Sequence, residues 1–460
     1  MTGYLTARVL GTPAATAAFG DRAFLSAMLR FEATLAAAEA ELGIIPAWAA
    51  ARIAAVVSAL EPDAEALAAA GANAGSLAIP LVDLVTRAVA AQDADAARYV
   101  HHGATSQDVL DTALALCTRD AVDALDRALV RARDAALRLA HDQARTPMLA
   151  RTLLQPAGVT TFGLKAARWA SALERVRQRI GATARHALAV SLGGAAGDLA
   201  ALGEQGDAVR ASVAARLGLH DPGEPWHTAR DGWIGLAADA ALAGGTLRKI
   251  ARDVALLGQA EVAEVAEPDA PGRGGSTAMP HKRNPVLSMR ILAATQAVPA
   301  LLASLLAAMD QEHERGLGGW QAEMAQWPTL FAGVLDAALA AVELLGGLRI
   351  DASRCLSNID ALGGVIFADR LARTLDGVLG KAEAEARIAA WCRRATDQGV
   401  PLVELAREAA RRDPALAAVS ADAIEACFDV ARAAEPAARL ASRLFEALGG
   451  ASSGAAFPGG

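Results

Sequence analysis

Residues 108–141 read DVLDTALALCTRDAVDALDRALVRARDAALRLAH. Leu110, Leu114, Cys117, Ala121, Leu125 and Leu129 recur at spacings of three and four, which places them on one face of an α-helix. The pattern outlasts an ordinary globular helix. Comparable stripes cover 160–188, 230–265, 286–309 and 323–345. Long helices with apolar faces bury those faces against one another, so a central bundle is expected. No clean heptad runs through them and no repeat of 20–50 residues is present.

On either side the pattern shortens. The first hundred residues are broken by Pro46, Pro62, Gly71, Gly75 and Pro80, and the chain beyond 351 by Gly363-Gly364, Gly399 and Asp413-Pro414. The expected fold is therefore all-α in three helical domains: an N-terminal domain at 1–110, a central long-helix bundle at 111–350 and a C-terminal domain at 351–448. The Gly/Ser/Ala-rich stretch 449–460 is expected to be a disordered tail.

Composition agrees with a large helical core. Of 460 residues 53% are hydrophobic, 4% aromatic and 21% charged, enough apolar surface to exclude global disorder. Alanine, the best helix former, supplies much of the apolar content. The longest apolar stretch, 297–309, contains Pro299 and Ser304 and falls short of the roughly 20 residues a membrane span needs. No secretory leader is visible at the start, where Asp21 and Arg22 interrupt the nearest apolar run. A net charge of −7 argues against a nucleic-acid surface. Cys117, Cys355, Cys392 and Cys427 lack metal or redox spacing and read as small core residues in a reducing, cytoplasmic compartment. Arginine is the habitual cation, with Lys165, Lys249, Lys282 and Lys381 the only lysines.

Three polar segments carry the candidate chemistry. His101-His102-Gly103-Ala104-Thr105-Ser106-Gln107-Asp108 precedes the first long helix, with Thr105 as N-cap and Asp108 completing a capping-box pattern. Free N–H groups at such a start attract carboxylates, and two histidines exceed what a cap requires. Arg151-Thr152-Leu153-Leu154-Gln155-Pro156 reads as a loop before the second long helix. The third segment runs from Pro271 through Gly274-Gly275-Ser276, Met279 and His281-Lys282-Arg283 to Asn284-Pro285, a glycine-rich loop in which Asn284 and Pro285 have N-cap and N1 roles. It lacks the order of a phosphate-binding loop. Glu261, Glu264 and Glu267 read mainly as an ion-paired helix surface, and His281 has no second ligand at metal spacing.

The pattern Gly275-Ser276-x-x-Met279-x-x-Lys282-x-Asn284 resembles the signature of the fumarase/aspartase superfamily, which includes adenylosuccinate and argininosuccinate lyases. The other two segments resemble its remaining characteristic regions in the expected order. Within it the chain is most similar to the bacterial carboxymuconate cycloisomerase branch. The residues carrying this are Gly194-Ala195-Ala196-Gly197, Leu202 to Gly206, Pro225-Trp226-His227-Thr228, Arg230-Asp231, Gln311 to Arg315 and Trp320 to Glu323, with Ala78 to Val82 a weaker match. His102 stands where a tryptophan is common, and Thr277 where a second serine is frequent.

That resemblance implies a cofactor-independent, metal-free enzyme acting on a small tricarboxylate. It also implies a homotetramer whose central bundles form the oligomer core and whose active sites are each built from three subunits. No nucleic-acid or membrane partner is implied. Ser276 would exchange a proton with the substrate α-carbon, and Lys282 would stabilise the dianionic intermediate. His101 would orient a carboxylate or move a proton, a structural role remaining open. Thr105, Ser106, Thr152, Gln155, Met279, Asn284 and Arg315 would bind substrate.

Leaving-group chemistry separates the branches. Amine-releasing relatives place a histidine, as general acid, where this chain has Leu153. A carboxylate leaving group, with a pKa near 4, needs no proton. Leu153 thus favours lactone opening and closing, in the protocatechuate branch of aromatic catabolism, over amine elimination. An adenylosuccinate-lyase-like C–N lyase and a non-catalytic, crystallin-like protein are the alternatives.

Overall fold

The computed structural model describes residues 11–449, so the expected tail lies outside the described residues except for Gly449. After a single turn at Pro13–Thr16, four helices follow: α1 (Asp21–Glu41), α2 (Ala47–Ala59), α3 (Ala64–Ala74) and α4 (Ala78–Ala90). The long helix α5 (Ser106–Asp142) leads to a hairpin of β1 (Pro147–Thr152) and β2 (Gln155–Thr161). Then come α6 (Phe162–Ala187), α7 (Gly206–Leu217), α8 (Asp231–Leu257), β3 (Val265–Ala266), α9 (Val286–Ala294), α10 (Val298–Ala307) and α11 (Gly319–Gly346). The chain continues through β4 (Arg349–Ile350), α12 (Ala352–Asp360), α13 (Ala368–Leu379), α14 (Lys381–Gln398), α15 (Leu402–Arg412), α16 (Ala421–Phe428) and α17 (Val430–Ala447). The fold is all-α apart from two small two-stranded sheets.

Two compact units are present. Over the described residues, the first comprises 11–129, 175–249 and 290–340, and the second 130–174, 250–289 and 341–449. The first unit centres on α5, α8 and α11. Trp233 stacks on Trp327 with ring centroids 3.9 Å apart, Trp327 packs on Phe331, and the Trp327 indole N–H donates to Thr118 Oγ1 at 2.8 Å. A second part of its core joins α1, α2 and α4 to α7 through Met28, Phe31, Leu35, Ile53, Leu81 and Val213. In the second unit Leu371, Ile388, Leu402, Leu405 and Ile424 form the core of the C-terminal helices. All four cysteines are free, and burial pushes the Cys117 and Cys355 thiols up to about 12.

Three expectations require correction. The segment 151–156 is the end of a β-hairpin, not a loop. The stripe at 286–309 is two helices, because the backbone breaks between Ala294 and Val298. Glu261, Glu264 and Glu267 are not a helix surface: α8 ends at Leu257 and Glu264 is fully buried.

By length and composition alone, Gly319–Gly346 and the segment Val286–Ala307, which is divided between α9 and α10, pass for membrane spans, a test that a buried core helix also passes. Within the first unit, however, Glu323 and Asp336 of α11 are buried and paired with Arg230 and Arg290, as in a core helix of a folded domain.

Candidate active site

In the first unit, the start of α5 is held by a buried polar frame. Asp108 Oδ1 accepts the Gly193 N–H at 2.9 Å and lies 2.6 Å from His227 Nε2, while Oδ2 accepts the N–H groups of Gly194 and Thr105 at 3.0 and 2.9 Å. Gln107 donates to the His227 carbonyl at 2.8 Å. One turn on, Asp111 meets Arg230 at 2.8 Å and the Trp320 indole N–H at 2.9 Å. Arg230 also pairs with Glu323 and lies 4.4 Å over the Trp226 ring. Burial alone would lower the Arg230 pKa, but Asp111 and Glu323 raise it and keep the guanidinium charged. Several motif residues that carried only a family likeness in the sequence thus form one support behind the helix start.

Its open side bears the candidate binding groups. Arg315 donates to Thr105 Oγ1 at 2.6 Å and to Ser106 Oγ at 2.9 Å, so one cation and two hydroxyls converge where α5 presents free N–H groups. Thr105 is only half a capping box: its amide reaches Asp108, but its hydroxyl faces Arg315. His101 has a left-handed backbone, φ 57°, and Nδ1 lies 2.8 Å from Glu32 Oε1. His102 Nδ1 lies 3.0 Å from Glu39 Oε1. Gly103, φ 69°, admits no side chain, because a Cβ would stand 2.5 Å from Leu202.

Burial pulls the His101 pKa down, but Glu32, Asp108 and Glu39 outweigh it and hold the imidazole above its ordinary value. Burial pushes the Glu39 carboxyl up to about 7, against the pull of His102. Sequence reasoning missed Glu32 and Glu39. The available signal was two carboxylates seven residues apart on the apolar face of α1 marked by Met28 and Leu35.

The second unit carries the other candidates. Thr152 and Gln155 face each other across the two-residue turn of the β1–β2 hairpin. Leu153 and Leu154 form that turn at φ 51° and 64°, with Leu153 97% exposed. Positive φ at two bulky residues is strained backbone placed at the tip. Below it, Arg151 donates to both Glu264 oxygens at 2.9 and 2.7 Å, and the Asn358 amide donates to the same carboxylate. This anchor fixes the base of the hairpin while leaving its tip exposed.

In the glycine-rich loop Ser276 Oγ accepts the Met279 N–H at 3.2 Å. The Asn284 N–H donates to the Gly274 carbonyl at 2.9 Å, and a Cβ on Gly274, φ 69°, would lie 2.8 Å from Asn284 O. Lys282 is exposed, and its ammonium holds no ion pair among the described residues. Asn284 does not cap the helix as expected. Glu267 accepts the N–H groups of Leu287 and Ser288 at 2.9 and 2.8 Å, and the Asn284 amide reaches the Gly275 carbonyl at 3.5 Å. Among the described residues no group of three or more His, Cys, Asp or Glu side chains is arranged to hold a metal ion.

The structure therefore groups His101, Thr105, Ser106 and Arg315 in one unit. Thr152 and Gln155 share a hairpin in the other, where Ser276, Met279, Lys282 and Asn284 share a loop. Fixed N–H and hydroxyl donors beside cations are the equipment for an anionic substrate.

A lyase family matches residues 9–298, and the chain belongs to it, within the fumarase/aspartase superfamily. Its particular likeness is to cycloisomerases. It is 45% identical to the 3-carboxy-cis,cis-muconate cycloisomerase of Bradyrhizobium diazoefficiens, covering 87% of this chain and 89% of that one. The crystal structure of the 3-carboxy-cis,cis-muconate lactonizing enzyme from Pseudomonas putida superposes with a TM-score of 0.90 at 38% identity, covering 97% and 99%. The nitrosuccinate lyase of Streptomyces davaonensis is 42% identical, covering 88% and 86%.

Proposed function

We propose that the protein is a cycloisomerase interconverting 3-carboxy-cis,cis-muconate and 4-carboxymuconolactone, in the β-ketoadipate pathway of aromatic catabolism. In the lactone-forming direction, a carboxylate oxygen of the substrate adds to the carbon β to a second carboxylate. The displaced electron pair moves into that second group, giving a dianionic aci-carboxylate. The Ser276 hydroxyl then protonates the α-carbon, and the reverse reaction uses its alkoxide as base. The trianionic substrate gains that proton as it becomes the dianionic lactone, and solvent returns a proton to the Ser276 alkoxide.

Lys282 stabilises the aci-carboxylate, and the loop carrying it excludes water on closing. Arg315, Thr105 and Ser106 bind a carboxylate at the N-terminus of α5, with His101 beside them. Thr152, Gln155, Met279 and Asn284 complete the substrate contacts.

The observation that carries this reading is Leu153. The hairpin tip offers an aliphatic side chain where an amine leaving group would need an acid, and a carboxylate leaving group needs none. The test is an ultraviolet assay following 3-carboxymuconate, run beside adenylosuccinate cleavage and nitrite release from nitrosuccinate. Turnover of 3-carboxymuconate is expected to dominate. Preferential attack on either of the other substrates overturns the assignment.

The working form is a cytoplasmic homotetramer in which three subunits contribute to each site. Apolar side chains left open in the single chain support this: Leu242 on α8, Met289 on α9 and Leu306 on α10 are each half exposed. Light scattering is expected to give four times the chain mass, and an active monodisperse monomer would remove the shared site.

A further inference from the structure

The reading above gives His101 a place beside the substrate but assigns nothing to the carboxylates behind it. Glu32 and Glu39 are almost completely inaccessible, at 2% and 0% exposure, and each gives one oxygen to a histidine Nδ1. The second oxygen of each, Oε2, is buried and meets no hydrogen-bond donor among the described residues. Two buried, half-satisfied carboxylates are a poor way to stabilise a helical domain, since each unpaired oxygen carries a desolvation cost. Their arrangement has another use.

We propose that Glu32 and Glu39 are positioning residues that hold His101 and His102 by Nδ1, so that both imidazoles offer Nε2 to the substrate carboxylates. A carboxylate accepts only, so its contact with Nδ1 fixes the proton there and leaves Nε2 as the working atom. At His101 the carboxylates also favour the imidazolium, which makes it a cationic donor in a protein of net charge −7 that binds an anion. The groups acting on His101 are Glu32 and Glu39 from α1 and Asp108 from α5. Those acting on Glu39 are His102, Glu32 and His101.

The inference rests on the proposed substrate site, and its test separates the two. Glu32→Gln keeps an oxygen for Nδ1 and removes the charge, so a purely structural role predicts little change. Positioning predicts that kcat/KM for 3-carboxymuconate falls at least about tenfold. It also predicts that the alkaline limb of the pH profile moves to lower pH, with the melting temperature retained. Glu32→Gln placed on His101→Asn should add nothing further.

A readout independent of turnover is carbethoxylation of the neutral imidazole by diethyl pyrocarbonate, mapped by mass spectrometry across pH. His101 should become reactive at lower pH in Glu32→Gln, and the reactivity of His102 should change in Glu39→Gln, which removes the charge of its Nδ1 partner. A wild-type enzyme inactive on 3-carboxymuconate would defeat the functional reading while leaving this measurement intact. Unchanged carbethoxylation profiles in both variants would overturn the dyads.

Discussion

Glu267 Oε1 lies 2.8 Å from the backbone nitrogen of Ser288 and 2.6 Å from the Ser288 hydroxyl. One carboxylate thereby closes the start of α9 and ties the far end of the glycine-rich loop to the strand residues preceding it. Side-chain acceptors at a helix N-terminus satisfy orphan amides and meet the positive end of the dipole.

Glu267→Ala should therefore cost about 1–2 kcal/mol of stability, the range of a lost N-cap, read from urea unfolding midpoints. Asn284→Ala, at the position where the sequence alone puts the cap, should cost clearly less. Equal losses would return the capping role to Asn284.

The dyad at Glu39 gives a pH-dependent stability of defined sign. Burial raises its pKa from 4.5 to about 7, so between these values the folded state binds more protons than the unfolded chain. Stability from this group falls as pH rises through that window, by on the order of 3 kcal/mol. Glu39→Gln should remove the fall and be relatively more stable at pH 8 than at pH 5. Urea titrations at both values check it, and a pH dependence identical to wild type would show that Glu39 is not the source.

What the sequence made legible follows from which forces act locally. The start of α5 was readable because capping chemistry and apolar periodicity coincide between Thr105 and Leu110. The β1–β2 hairpin was hidden because its turn is Leu153-Leu154 rather than a glycine or asparagine pair, so strain held by the surrounding structure overrides turn propensity. Glu264 looked like helix surface because its partners, Arg151 and Asn358, are more than 90 residues away along the chain. The motif residues near Arg230 were recognisable as a likeness, but their joint burial around α5 is a tertiary fact that spacing cannot express.

Ser276→Ala should abolish most turnover while leaving substrate affinity and helix content largely intact. Among the described residues Oγ accepts one hydrogen bond, from the loop backbone, so its removal costs little structure. If the hydroxyl transfers the proton, kcat falls far more than KM rises. Steady-state kinetics with circular dichroism decide this, and near-wild-type kcat would strip Ser276 of its acid–base role.

Lys282 offers the sharpest test of how positive charge is concentrated at the site. The chain uses lysine only four times against its many arginines, and this one sits in the glycine-rich loop, exposed and without an ion pair among the described residues. A compact ammonium approaches an aci-carboxylate oxygen as a point charge, whereas a planar guanidinium needs different room. Lys282→Arg, though it conserves charge, should lose at least about tenfold in kcat/KM, roughly 1.4 kcal/mol of transition-state stabilisation. Lys282→Met should lose considerably more, because the ammonium assigned to the dianion is then gone. Neither change should alter folding, since the side chain is exposed. Kinetics on both variants, with circular dichroism as the control, give the answer, and full activity in Lys282→Met would mean that another cation stabilises the developing charge.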